Sequence, residues 1–142
     1  MATAFKHAAQ PLPFIHPDDM PPRYALPGIG HCLEPLVKNG TLVAFDKERQ
    51  PEPGNIVGLI FTREAAKGRG VPGMIKRLAM ALPPTGLPKG CSGLVVVEQI
   101  NPPRRYHIPV DELLAVHAAY GFAESAGDGR AMVTPFSKET GL

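Results

Sequence analysis

The stretch GIGHCLEPLVKNGTLVAFD, Gly28 to Asp46, sets the reading of the whole chain. Gly28 and Gly30 permit tight or positive-φ backbone at its start. Pro35 fixes its own φ and biases Glu34 toward an extended conformation. Asn39-Gly40 is a turn signal, and the β-forming residues that follow predict a strand over 41–45. Cys32 therefore sits on a kinked loop just ahead of a turn and a strand. Scaffolds often display a nucleophile on such a loop. The competing reading is a small, half-buried thiol with no chemistry, the usual condition of a free cysteine.

Composition limits the surroundings of that loop. The chain has 142 residues, enough for one domain with its own core. Its 17 prolines and 15 glycines work against long helices and favour a loop-rich, mainly β domain. A net charge of +2 argues against a dedicated nucleic-acid-binding surface, so direct binding of nucleic acid is not expected. The two cysteines, Cys32 and Cys91, form no Cys-x-x-Cys pair, and no histidines are closely paired. No metal and no cofactor is expected on that basis. The N-terminal MATAFKHAAQPLPF lacks an apolar run of signal-peptide length, and no stretch is long enough to span a membrane. The expectation is a cytoplasmic protein with both thiols free.

Outward from Gly28, residues 1–27 read as a proline-rich arm, extended over the domain or over a partner. A helix-turn-helix does not fit there. Downstream, Lys47 to Pro53 is a charged, proline-punctuated turn, and Ile56 to Phe61 is an apolar run of strand length. Residues 62–73, TREAAKGRGVPG, read as a basic, glycine-rich, solvated loop without the spacing of a phosphate-binding loop. A strand is expected over 74–79. Its alternation puts Met74, Lys76 and Leu78 on one face, with Lys76 the only charge there. Most such lysines reach out to water. One that cannot loses its proton more readily and becomes a candidate general base. Leu94 to Ile100 is the clearest strand, stopped by Asn101-Pro102-Pro103. Val110 to Tyr120 fits either a short helix or a turn followed by a strand over 114–120, and Gly121 ends it in both cases. Residues 123–142 read as a polar tail.

Two motifs then stand together. The first is Gly30-His31-Cys32-Leu33-Glu34-Pro35, with Gly40-Thr41-Leu42-Val43 and Asp46 after it; the second is Ile75-Lys76-Arg77-Leu78. With Gly54-Asn55-Ile56-Val57 between them and Asn101-Pro102 after them, the ordered set over residues 28–122 resembles the LexA/UmuD-like self-cleaving serine peptidases. Their catalytic domain is related to signal peptidase. The resemblance implies a strongly coiled β-sheet domain with few short helices, usually a homodimer. It pairs Cys32, at the serine position, with Lys76, at the position of the catalytic lysine. The departures are Cys32 for serine, Leu33 for the methionine after it, and Thr41 for an acidic residue. Family members cut themselves at an Ala-Gly or Cys-Gly bond upstream of the nucleophile. Residues 1–31 offer only Pro27-Gly28 and Ile29-Gly30, and an Ala-Gly bond occurs at Ala126-Gly127, in the tail.

The resemblance supports two functional expectations. One is a Cys/Lys-dyad peptidase, a hydrolase acting on a peptide bond in itself or in a protein partner. Lys76 would take the proton of the thiol and later protonate the leaving amine. The other is a catalytically silent LexA-like module for dimerisation or protein interaction, in a phage or SOS-type stress-response setting. Binding of nucleic acid through residues 62–77 ranks behind both.

Overall fold

The computed structural model describes residues 16–82, 93–125 and 131–136. In chain order its strands are β1 (Arg23–Pro27), β2 (Leu42–Asp46), β3 (Ile56–Phe61), β4 (Gly73–Leu78), β5 (Leu94–Gln99), β6 (Arg104–Pro109), β7 (Leu113–Ser125) and β8 (Ala131–Pro135). A single α-helix among the described residues, α1 (Arg63–Arg69), links β3 to β4. The strands form one antiparallel sheet in the order β1-β2-β7-β3-β4-β5-β6, with β8 added to β7. The protein is thus mainly β, as expected. The sheet is open, with β1 and β6 at its ends, and is not strongly curled. The strong coiling implied by the resemblance is not what these strands build.

The last long strand organises the sheet. Ala118 of β7 faces Asp46 of β2 on one edge and Val57 of β3 on the other. Beyond it, Gly121, Phe122 and Ala123 lie between β2 and β8. Helical spacing and a strand were both open for Val110–Tyr120. The strand wins because β2 and β3 each present an edge that only an extended partner satisfies. Val110–Glu112 is a 3-10 turn that starts it. From Ala118 onward β7 is flanked by β2, whereas among the described residues Leu113–His117 pairs along its β3 edge alone.

Side-chain alternation along β3 builds a core on each face. Val57, Leu59 and Phe61 join Leu78, Val95, Val97 and Ile108 in one cluster. Ile56 joins Tyr24, Val43, Phe45 and Ala119 in the other. Every residue of β3 is buried, which is why it reads as an unbroken apolar run rather than an alternating one.

Three stretches differ from their sequence reading. The expected loop 62–73 contains α1. The Thr62 side chain caps it by accepting from the Ala65 N–H, and Gly70 closes it in a left-handed conformation (φ 79°). Glu64 in its first turn and Lys67 and Arg69 in its last suit the helix dipole. The end of the arm, Arg23–Pro27, is strand β1, and it buries Tyr24 against β2. The tail supplies strand as well, because β7 runs on to Ser125 and β8 pairs with it. Among the described residues, no helix is long and apolar enough to cross a membrane.

Candidate active site

The loop that carries Cys32 is closed at its neck. Gly28 N–H donates to the Thr41 carbonyl at 2.8 Å, and Gly40 N–H donates to the Gly28 carbonyl at 2.7 Å. The Asn39 side chain accepts from Gly30 N–H at 2.9 Å, and Gly30 takes the positive φ (93°) that its sequence position invited. Leu33 and Val37 point inward and are buried in the Tyr24–Phe45 cluster, so the loop is anchored by packing on either side of the Glu34–Pro35 bond. That bond and Asn101–Pro102 are both cis. The Cys32 carbonyl accepts from the amides of Ile100 and Asn101, at 2.7 and 3.0 Å. These two bonds hold the thiol loop against the end of β5.

Lys76 comes to the same place from β4. Strand alternation directs it inward beside Leu78, and only 7% of its surface is exposed. It does not reach water as most lysines do. Its Nζ donates to Cys32 Sγ at 3.2 Å and to Gln99 Oε1 at 3.1 Å, and lies 5.3 Å from the centre of the Tyr106 ring. Cys32 and Lys76 are 44 positions apart in sequence and adjacent in space.

Two further residues complete the cluster, and the sequence reading assigned neither a role. Gln99 is buried near the end of β5. Its amide oxygen also accepts from the Tyr106 hydroxyl at 3.0 Å, and its amide nitrogen donates to the Pro102 carbonyl at 3.0 Å. The one available signal was a glutamine following Glu98 at the end of a run that opens with four apolar residues. On the exposed lip beside Cys32, His31 Nδ1 and Glu34 Oε1 pair at 2.7 Å.

Cys32 and Lys76 line a cleft of about 440 Å³. Its other walls are largely apolar and include Tyr24, Leu26, Ile29, Val71 and Ile75; Gly58, bare of a side chain, adds to them. One rim is a strand with an unused edge. Strand β4 pairs with β5 only through Arg77 and Leu78, so among the described residues Gly73–Lys76 is paired on its β3 edge alone. An apolar cleft beside an unpaired strand edge suits an extended peptide.

Behind the cleft, the Tyr24 hydroxyl meets His117 Nδ1 at 2.6 Å. Burial, helped by the charge of Lys47, lowers the His117 pKa to about 4. Burial raises that of Tyr24. Lys47 is itself held by the carbonyls of Pro17 and Met20. Among the described residues, no three His, Cys, Asp or Glu side chains gather as a metal-binding group. Cys91 and the Ala126-Gly127 bond lie outside the described residues. Comparison with protein families, with curated proteins and with solved structures gives no match for this chain.

Proposed function

We propose that this protein is a Cys/Lys-dyad peptidase of the LexA-like type, cutting a peptide bond in itself or in a partner. The observation that carries the reading is the contact of a buried lysine amine with a half-buried thiol, Nζ to Sγ 3.2 Å, at an apolar cleft. A thiol and an amine in contact can share one proton, and the low polarity around them makes its position matter.

In this mechanism an extended peptide lies along the free edge of Gly73–Lys76 with its carbonyl carbon at Cys32. The thiol proton passes to Lys76 Nζ, and Sγ adds to the carbonyl carbon. Backbone N–H groups near Cys32 receive the developing oxyanion. As the tetrahedral intermediate collapses, the C–N bond breaks and the Lys76 proton goes to the departing amine. Water then attacks the thioester. Its proton goes to Lys76, the C–S bond breaks, and the proton returns to the Cys32 sulfur. No metal or cofactor enters any step.

The LexA-like identity of the fold and a homodimeric state belong to the same proposal. They rest on the ordered motifs of residues 28–122. Sedimentation over the micromolar range tests the dimer, and a monomer throughout would count against it.

Intact mass of the purified protein, followed over time alone and with a pool of apolar peptides, tests the activity. The expected result is a discrete cut in the chain or in a peptide that is lost in Cys32→Ala and in Lys76→Ala. Stable masses throughout would leave the silent dimerisation or interaction module as the reading.

A further inference from the structure

We infer that Gln99, braced by Tyr106 and by the Pro102 carbonyl, is the positioning residue that aims the Lys76 amine at Cys32 without supplying a competing negative charge; this rests on the Cys/Lys reading above. An amide oxygen can accept two hydrogen bonds. In Gln99 both are used, by Lys76 Nζ at 3.1 Å and by the Tyr106 hydroxyl at 3.0 Å. The amide nitrogen is spent on the Pro102 carbonyl, which decides the orientation of the whole group. A flipped amide would turn its N–H donors on the lysine and the phenol, and would face one carbonyl with another.

The strand register explains why the pair forms. Arg77 stands opposite Glu98 in the β4–β5 ladder, and their side chains pair at 3.0 Å. One residue back on β4 and one forward on β5, the alternation turns Lys76 and Gln99 to the other face. The two partners are thus matched by kind, an arginine with a carboxylate and a buried lysine with a neutral amide. A carboxylate at position 99 would bind Lys76 as its counter-ion and would repel a thiolate. A neutral acceptor orients the amine and leaves Cys32 as the group that can carry the matching negative charge. The other charges near the site are engaged elsewhere. His31 and Glu34 pair with each other on the lip, and Glu98 takes both Arg77 and Arg105. The Tyr106 ring adds its π-face to the lysine from β6.

The test is the rate of iodoacetamide alkylation of Cys32 against pH, resolved by peptide mass spectrometry with Cys91 as the internal control. It compares the parent protein with Lys76→Ala, Gln99→Met, Gln99→Glu and Tyr106→Phe. Loss of one hydrogen bond to a charged group corresponds to about a tenfold change. Gln99→Met should therefore slow Cys32 by about that factor at neutral pH and move the midpoint of its rate profile upward. Tyr106→Phe should act in the same direction but less. Gln99→Glu keeps the acceptor and nearly the volume and gives up only the donor to the Pro102 carbonyl, a loss the melting temperature reads separately; it should slow Cys32 through its added charge. A merely structural role would change the melting temperature and leave the pH midpoint alone. If Gln99→Glu and Tyr106→Phe keep the parent midpoint while Lys76→Ala slows Cys32, the positioning role is overturned and the dyad stands. If Lys76→Ala also leaves Cys32 unchanged, the dyad and the positioning role fall together.

Discussion

Tyr24 and His117, 93 positions apart, share a 2.6 Å hydrogen bond beneath the cleft. The imidazole is neutral in the folded protein down to a pKa of about 4, against an ordinary value of 6.5. Between those values the unfolded chain binds a proton that the folded one refuses, so stability rises with pH across that window. Its contribution is complete above pH 6.5, declines as the pH falls, and is gone below about pH 4. The full span is on the order of 3 kcal/mol. Urea unfolding at a series of pH values should show this slope. His117→Gln keeps a polar partner for the tyrosine but cannot titrate, and should flatten the slope over the same window. An unchanged slope in that variant would remove His117 as its source.

Lys76 should matter to reactivity far more than to stability. A buried amine loses hydration that two hydrogen bonds and a ring only partly restore. Lys76→Met fills the same space without that cost, and the Gln99 oxygen keeps its Tyr106 donor. Thermal melting of Lys76→Met should match or exceed that of the parent, while Cys32 alkylation slows. A loss of several degrees would show that the lysine is a structural requirement.

Two glycines should respond in opposite directions to alanine. A Cβ on Gly73 would lie 2.4 Å from the Leu59 carbonyl oxygen, too close to form without parting β3 from β4. Gly73→Ala should cost roughly 1–3 kcal/mol. Gly68 sits within α1 with open space around it. Gly68→Ala should stabilise by roughly 0.5–1 kcal/mol, because the unfolded chain loses freedom and the helix gains propensity. Denaturant midpoints measured side by side check both.

Phe45 supports the cleft from behind. It is fully buried, stacks on Tyr24 with ring centres 5.3 Å apart, and fills the space a side chain on Gly58 would need. Phe45→Ala should lose roughly 3–5 kcal/mol. It should also weaken binding of apolar peptides, because Tyr24 and Gly58 both line the cleft. Calorimetric unfolding and fluorescence titration with a labelled peptide are the measurements.

How much of this was legible in the sequence depended on locality. Expected strands over 41–45, 56–61, 74–79 and 94–100 correspond to Leu42–Asp46, Ile56–Phe61, Gly73–Leu78 and Leu94–Gln99. These runs are rich in β-formers and bounded by turn residues, so local chemistry and tertiary burial agree. Strand β1 was hidden because Pro21, Pro22 and Pro27 suggest an arm, although the residues between them have free N–H groups that pair with β2. Helix α1 was hidden by its glycines, although Thr62 and Gly70 marked its two ends. In the site, Cys32 and Lys76 were reachable because each carries a motif around it. Gln99 and Tyr106 were not. Their roles come from the relative register of β4, β5 and β6, which no spacing along the chain encodes.

The cluster around Cys32 draws on a loop before β2 and on three later strands, β4, β5 and β6. During synthesis the thiol leaves the ribosome first, then its lysine, then the glutamine and the tyrosine that brace it. The contacts that join them close long stretches of chain, and such contacts form late and slowly. A nascent chain therefore carries an ordinary cysteine. The contact between Cys32 and Lys76 comes into being only with the assembled sheet, so the self-cleavage proposed above has to wait until the chain has folded.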